Sequence, residues 1–239
     1  MRKLWIIGVA LLTSCAPIYI PNSRNVPLFD GKGEAQIGGF LTSAGADAQA
    51  AVSLTDHLAI AGSYSYGSHK RTNPDFSRRN TFAEGAIGYY SASRKSRFEL
   101  FIGYGVGKGT NLAQYYFFAD DFGQGDTIVT AKMSRFMIQP TFSTNNRKFD
   151  IAFTPRLSWV NYSEFTAGGV TEMPSEKAQL FIEPAITGRF HVKGNIFGLF
   201  QLGLAQALPN EAFFDHQPLQ VSFGFLIDTG GLGTKVYKR

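Results

Sequence analysis

Single charged residues recur inside otherwise apolar stretches of this 239-residue chain. The acidic ones are Asp47, Glu84, Glu99, Asp150 and Glu183, and the basic ones are Arg135, Arg156, Arg189 and His191. A buried charge must be paired, because its desolvation is otherwise very costly. We therefore predict a network of ion pairs in the interior. Its members are Glu99, Arg135, Asp150, Arg156, Glu183, Arg189 and His191. A narrow selective pore lined by Arg156, Arg189 and Glu183 is the alternative.

Catalytic chemistry has little support in the sequence. An enzyme that hydrolyses lipid or peptide needs a base, an orienting acid and a nucleophile or activated water close together. Asp56-His57 and Asp215-His216 are only adjacent pairs, and no serine motif accompanies them. Asp120, Asp121 and Asp126 are spaced for a weak calcium site at best. We predict no catalytic residue and no metal, with a surface enzyme that uses Asp215 and His216 as an alternative.

The elements that position the charges show period-two alternation. In the stretch 149–160, Phe149, Ile151 and Phe153 fall on one face, and Asp150 and Ala152 fall on the other. Such alternation is typical of strands with one apolar face. Ten stretches follow this pattern: 34–43, 46–55, 57–67, 80–91, 97–107, 129–143, 149–160, 178–192, 196–207 and 219–228. The first pair is the weakest, so eight strands is the alternative.

The composition is that of a membrane protein without spanning helices. Only 17% of the residues are charged, while the chain has 26 Gly, 22 Phe and 10 Tyr. A water-soluble surface has roughly 25–35% charged residues, and no apolar run after residue 14 reaches the roughly 20 residues of a spanning helix. Lipid offers no hydrogen-bond partners, so every backbone N–H and C=O group inside the membrane must be paired within the protein. Without spanning helices, a closed β-barrel is the remaining structure that meets this requirement. We predict an all-β, antiparallel up-and-down barrel that spans the membrane; a water-soluble barrel or sandwich is the alternative.

The connections between the predicted strands alternate in length. The short ones are 55–56, 93–96, 145–147 and 193–194, and the long ones are 68–79, 108–128, 163–176 and 208–217. Outer-membrane barrels have short turns at the periplasmic rim and long loops outside. Aromatic girdles are expected at both rims. The candidates are Tyr64, Tyr66 and Trp159 near the loops, and Tyr89, Tyr90, Phe98, Phe149 and Phe190 near the turns.

All four long loops suggest partners. Aromatic side chains that are exposed in loops favour a protein interface. The candidates are Tyr115, Tyr116, Phe117, Phe118, Phe122, Phe165, Phe213 and Phe214, unless these loops fold over the barrel mouth. The basic residues of the first long loop are suited to lipopolysaccharide phosphates. They are Lys70, Arg71, Arg78 and Arg79.

The amino terminus has the features of an export signal. Arg2 and Lys3 precede an apolar run from residue 4 to residue 12, which is too short to span a bilayer. Leu12-Thr13-Ser14-Cys15 resembles the lipobox of bacterial lipoproteins. The resemblance implies cleavage before Cys15 and acylation of that residue, the only cysteine; an ordinary signal peptide is the alternative. Loss of Arg2 and Lys3 lowers the net charge from +5 to +3. No basic helix accompanies this small excess, so we expect no nucleic-acid partner.

The stretches LTSC, YIPNSRNVPLFDGKGEAQIGG and LTDHLAIAGSYSYG give the chain its family likeness. It resembles bacterial outer-membrane β-barrel proteins, in the style of those of the Bacteroidota. The expected organisation is a signal peptide (1–14), an extended lipid-anchored strap (15–32), the barrel (33–228) and a periplasmic tail (229–239). Three prolines make the strap extended, and we expect it along the periplasmic rim.

The expected function is that of a non-enzymatic accessory subunit in an outer-membrane assembly. Its expected partners are outer-membrane lipid, lipopolysaccharide and other outer-membrane proteins, and it needs no cofactor beyond the lipid on Cys15. A narrow channel or porin is the first alternative.

Overall fold

The computed structural model describes residues 17–70, 77–113, 127–146, 148–167, 170–172, 178–208 and 216–229, and all regular structure in them is β. The strands are β1 (Ala35–Thr42), β2 (Gly45–Ser53), β3 (Leu58–Lys70), β4 (Ser77–Ala92), β5 (Ser96–Ala113), β6 (Thr127–Thr144), β7 (Phe149–Ala167), β8 (Val170–Glu172), β9 (Gln179–Lys193), β10 (Ile196–Leu204), β11 (Gln206–Leu208) and β12 (Leu219–Asp228). In these parts of the chain no helix is long and apolar enough to span a membrane.

Ten of these strands form a closed antiparallel barrel. Strands that are consecutive in the chain pair with each other, β9 pairs with β7 beyond the short β8, and β12 follows β10. Pairing of β1 with β12 closes the ring. The short strands β8 and β11 extend the sheet beside β7 and β9. The predicted fold class is confirmed, including the weakly patterned first pair of strands, and the eight-stranded alternative is wrong.

The period-two pattern sorts side chains between the two faces of the wall. On β7, Phe149, Ile151 and Phe153 face outward and are 44–50% exposed. Asp150 and Ala152 between them are almost fully buried in the interior. Successive side chains of a strand point to opposite faces. The alternation of apolar and polar residues therefore determines which face of the strand points outward. The outer surface is therefore apolar and the interior polar, as in barrels that sit in a bilayer.

The connections define two rims. The turn rim contains the connections 54–57, 93–95, 145–148 and 194–195. The start of β1 and the end of β12 lie at the same rim. The loop rim is the opposite end. The strands β3 to β7 run further toward the loop rim than the sequence predicts, so that β5 ends at Ala113 and β6 begins at Thr127. The boundary of the long loop at residue 108 is wrong, because the alternation continues through small and hydroxyl residues that resemble a loop in composition.

The predicted girdles need one correction. Tyr89 is 44% exposed on the outer face, whereas Tyr90 is buried in the interior. Consecutive residues of a strand point to opposite faces, so only one of the two can contact lipid. The Tyr90 hydroxyl instead donates a hydrogen bond to the carbonyl of Thr55 at the turn rim (2.5 Å).

Candidate functional site

The interior of the barrel is occupied by residues 17–30, which we call the lumen segment. The sequence predicts this segment along the periplasmic rim, and the structure places it inside the wall, with most of its side chains buried. Eight strands already give an interior that side chains can fill. Ten strands leave additional space, and the segment fills it because its polar groups match those of the inner wall.

Strand β5 binds both ends of the segment. Its residues Arg97, near the turn rim, and Asn111, near the loop rim, face inward and contact Asp30 and Pro17, respectively. Fourteen residue steps along a strand measure about 46 Å, and thirteen steps of fully extended chain reach about 43–47 Å. The lumen segment is therefore nearly extended and traverses the barrel from the loop rim to the turn rim.

At the loop rim the segment is held by its backbone. The Asn111 side-chain amide donates to the carbonyl of Pro17 (3.0 Å), and the backbone N–H of Gln217 donates to the carbonyl of Tyr19 (2.9 Å). Tyr19 also forms an isolated parallel bridge with His216. Its ring packs against Phe181, with 4.7 Å between the ring centroids. These contacts fix residue 17 at the loop end of the lumen.

The middle of the lumen contains a charge cluster centred on Glu183. This carboxylate accepts hydrogen bonds from the Tyr19 hydroxyl (2.5 Å) and from Nε of Arg156 (2.5 Å). Arg135 donates to the Tyr19 hydroxyl (2.9 Å) and forms an ion pair with Glu84. The side chain of Arg156 and that of Glu183 are fully buried. Charged groups in such a place are tolerated because each has several partners.

The polar residues that follow Tyr19 link the segment to opposite sides of the wall. Asn22 accepts hydrogen bonds from both Arg135 (2.6 Å) and Arg156 (3.2 Å). The backbone N–H of Ser23 donates to Asp47 (2.8 Å), and its hydroxyl hydrogen-bonds to the same carboxylate. Arg24 extends to the other side, where it hydrogen-bonds to Gln220 and to the carbonyl of Leu204 (2.9 Å). The segment therefore bridges strands that do not contact each other.

Toward the turn rim the segment ends in a second ion-pair cluster. Arg97 forms two hydrogen bonds with Asp30, both 3.0 Å, and an ion pair with Asp150 (3.1 Å). The N–H of Phe29 donates to Glu99 (2.9 Å). Arg189 donates to the carbonyl of Pro27 (2.7 Å). The paired carboxylate and guanidinium groups close this end of the lumen.

Six of the seven residues of the predicted interior network are buried inside the barrel. His191 is not, because it is exposed at the turn rim beside the carbonyl of Gly194 (2.8 Å). The register of β9 against β10 shifts directly after His191, between it and Lys193, where β9 ends and its side chains reach solvent. The site residues that have no counterpart in the prediction include Tyr19, Asn22, Arg24, Asp30 and Arg97. The first four belong to a segment without strand periodicity, so no pattern in the sequence places them in the lumen.

Two inward glycines leave the space through which the segment passes. A Cβ atom on Gly109 would lie 2.9 Å from the carbonyl oxygen of Ile18, and one on Gly203 would lie 2.7 Å from Nη1 of Arg24. Around Gly39, on the outer face, a Cβ would meet nothing within 4 Å.

We expect Gly203→Leu to destabilise the barrel by roughly 1–3 kcal/mol, because overpacking displaces the Arg24 guanidinium. The matched variant Gly39→Leu changes the same residue type on the lipid face and leaves the urea midpoint within error of the parent. The measurement is urea unfolding followed by the gel mobility of the folded and unfolded forms. Equal midpoints for the two variants would contradict a filled lumen at Gly203.

The residues predicted to contact lipopolysaccharide do not all face the same way. Arg79 is exposed on the outer face of β4, whereas its neighbour Arg78 points to the other face and is only partly exposed. Lys70 ends β3. Arg71 lies outside the described residues, as do the side chain of Lys70 and the whole of Cys15. Only one of the two adjacent arginines can therefore bind a lipid beside the barrel.

Most of the predicted loop contacts fall in parts of the chain that the structure does not describe. Tyr115, Tyr116, Phe117, Phe118, Phe122, Phe213, Phe214 and Asp215 lie outside the described residues. Phe165 is described and is buried, with its ring centroid 4.9 Å from that of Tyr162, so its predicted exposure is wrong. Strand β7 extends past it and turns it inward. The ring of His216 packs edge-on against Phe181 (5.1 Å).

In the described parts of the chain, no three His, Cys, Asp or Glu side chains lie close enough together to hold a metal ion.

The described residues form an outer-membrane type of β-barrel, with ten strands and an interior filled by its own amino-terminal segment. No protein-family model matches the sequence, and no curated protein matches it.

Solved structures do resemble the fold. The outer membrane protease OmpT from Escherichia coli is 14% identical, with a TM-score of 0.43, over 83% of this chain and 91% of that one. The translocator domain of the autotransporter NalP from Neisseria meningitidis is 10% identical, with a TM-score of 0.42, over 95% of this chain and 92% of that one. At these identities the likeness concerns the fold alone.

Proposed function

We propose that this protein is a non-enzymatic, lipid-anchored outer-membrane barrel that serves as a structural or accessory subunit of a larger outer-membrane assembly. The observation that carries the proposal is the lumen segment. A barrel whose interior is filled by its own chain offers no path to a solute while the segment is in place. Its outer wall and loop rim are then the surfaces available to partners.

The direction of the segment supports an unusual orientation for the lipid. At the loop rim, Pro17 is held by Asn111 and Tyr19 by the backbone N–H of Gln217, and Cys15 precedes Pro17 by two residues. In outer-membrane barrels the long loops face the cell exterior. An acylated Cys15 would therefore anchor in the leaflet at the loop rim, on the outer side of the membrane. A barrel needs no lipid to stay in the bilayer, so the anchor would serve to orient the amino terminus or to contact a partner.

The two alternatives have less support. A narrow channel requires the lumen segment to leave, which would break the contacts of Tyr19, Asn22 and Asp30 with the wall. A surface enzyme requires a base and an acid that act together. His216 packs against Phe181 and its backbone pairs with Tyr19, which supports a structural role for that histidine.

The test is purification of the full mature chain from membranes in mild detergent, through a tag placed after residue 239. Native mass spectrometry then reports the intact mass of the complex and the masses of its components. We expect a stoichiometric complex with at least one other outer-membrane protein, and a Cys15 that carries diacylglycerol and an acyl chain.

A matched pair of variants locates the contact. Tyr115→Ser with Tyr116→Ser removes two predicted loop aromatics, and Tyr89→Ser removes an exposed tyrosine at the turn rim. We expect the loop variant to lose the partner and the Tyr89 variant to keep it. A folded monomer in all three preparations would contradict the accessory role, and an unmodified Cys15 thiol would contradict the lipid anchor.

A further inference from the structure

Three basic residues lie side by side on the outer face of the barrel, close to the loop rim. Lys108 of β5 is directly opposite Lys132 of β6 in the strand register. Arg79 of β4 pairs with Thr110, two positions along β5 from Lys108. All three side chains face outward and are exposed. Diagonal neighbours in a sheet are within reach of long side chains, so the three charged groups can meet at one point outside the wall.

The cluster carries more positive charge than its acidic neighbours balance. Like charges directly opposite each other in a sheet destabilise it, and the outer faces of β4 to β6 hold three cations there. Lys132 has one counter-charge, an exposed ion pair with Glu164 of β7 (2.8 Å). Within the described residues, neither Arg79 nor Lys108 has an acidic partner. In this part of the chain, the three basic side chains have one carboxylate, that of Glu164, between them. An anionic group from outside the chain would balance the remaining positive charge.

The position of the cluster identifies the kind of anion. Directly toward the turn rim on β5 follow Val106, Tyr104 and Ile102, which are outward and 45–57% exposed. Tyr66 lies on the same face of β3, opposite Thr81, and Thr81 is opposite Lys108. The three basic residues therefore lie at the edge of the apolar, lipid-contacting band that is nearer to the loop rim.

Among the described residues, the opposite side of the barrel has no basic residue at this level. The outward positions of β1, β10 and β12 toward the loop rim are Leu41, Leu202, Leu204, Val221 and Leu219. The basic cluster is thus confined to one side of the wall and borders an apolar band.

We infer that Arg79, Lys108 and Lys132 bind the phosphate groups of lipopolysaccharide beside the barrel. This lipid has its phosphates at the surface of the outer leaflet, which adjoins the loop rim, and its acyl chains below them. Phosphates accept charge-assisted hydrogen bonds from Lys and Arg. The acyl chains lie along Val106 and Tyr104. The inference is independent of the accessory role and of lipidation at Cys15.

The test measures binding of lipid A to the detergent-solubilised full chain by native mass spectrometry. The probes are lipid A with both phosphates, the same lipid after dephosphorylation, and phosphatidylglycerol. The variant is Arg79→Gln with Lys108→Gln, which keeps the ion pair of Lys132 with Glu164. The matched control is Lys95→Gln with Lys148→Gln, two exposed lysines at the turn rim.

We expect phosphorylated lipid A to bind the parent and the control with equal affinity, and the variant at least about tenfold more weakly, because two charge-assisted contacts are lost. Dephosphorylated lipid A binds all three proteins equally weakly. Unchanged affinity in the variant would overturn the inference. So would phosphatidylglycerol that binds the parent as tightly as lipid A does, because the site would then be a general one for anionic lipids.

Discussion

Removal of the lumen segment is expected to turn a closed barrel into a conducting one. We expect the parent protein to show no stable single-channel steps in planar bilayers, because residues 17–30 fill the interior. A variant without these residues exposes an inner wall rich in charged and amide side chains, among them Glu183, Arg156 and Gln201. Ten strands enclose more space than the eight whose interior side chains alone can fill, so the vacated polar lumen has room for water and discrete conductance steps are expected.

A second preparation distinguishes an open pore from a misfolded barrel. Lys32 and Gly33 are exposed at the turn rim, so a protease site placed there can be cut after folding. Washing with urea then releases the segment from an intact wall, and the conductance should appear. Addition of a peptide of residues 17–30 should abolish it. Stable conductance in the parent, or a silent barrel after release of the segment, would contradict a lumen closed by this segment.

Loss of the Glu183 carboxylate is expected to destabilise the barrel strongly. Glu183→Ala leaves the fully buried Arg156 guanidinium without its ion-pair partner and also removes the acceptor for Tyr19. Breaking a buried pair by removal of one member costs about 3–5 kcal/mol. Trp159 is the single tryptophan of the chain after residue 14, so its fluorescence reports unfolding in urea directly.

The control for this substitution is Glu164→Ala. Glu164 also pairs with a base, Lys132 (2.8 Å), but both side chains are well exposed. Exposed ion pairs contribute about 0–1 kcal/mol. The double variant Glu183→Ala with Arg156→Ala should recover part of the lost stability, because it removes the unpaired charge. Strictly additive losses, or a Glu183→Ala variant as stable as Glu164→Ala, would contradict the network.

The wall of the barrel could be predicted from the sequence because alternation of side chains is a direct consequence of strand geometry. On β7, the series Phe149, Ile151 and Phe153 against Asp150 and Ala152 fixes both the strand and its orientation. The inward charges follow from the same pattern. The ends of the long strands were harder to predict, since the outward residues Lys108 and Thr110 and the inward Gly109 have the composition of a loop.

The lumen segment could not be placed from the sequence. It has three prolines and no periodicity, so its position depends on what the closed wall leaves unfilled and unpaired. Asp30 pairs with Arg97 and Ser23 pairs with Asp47 across large distances in the chain. Such pairs are decided by tertiary structure, and no local pattern predicts them. The same reasoning applies to Lys108 and Lys132, whose juxtaposition depends on the exact register of two strands.

The most direct measurement of the central claim is a disulfide between the lumen segment and the inner wall. The amide of Asn22 lies 3.1 Å from the hydroxyl of Ser63 on β3, so Asn22→Cys with Ser63→Cys should link after mild oxidation of membranes. Tyr64, the next residue, faces lipid, and Asn22→Cys with Tyr64→Cys should stay unlinked. Mass spectrometry of the digested protein identifies the linked peptides. A link in the first pair and none in the second is the predicted result; no link at residue 63, or equal linking at 63 and 64, would contradict a segment that runs through the barrel.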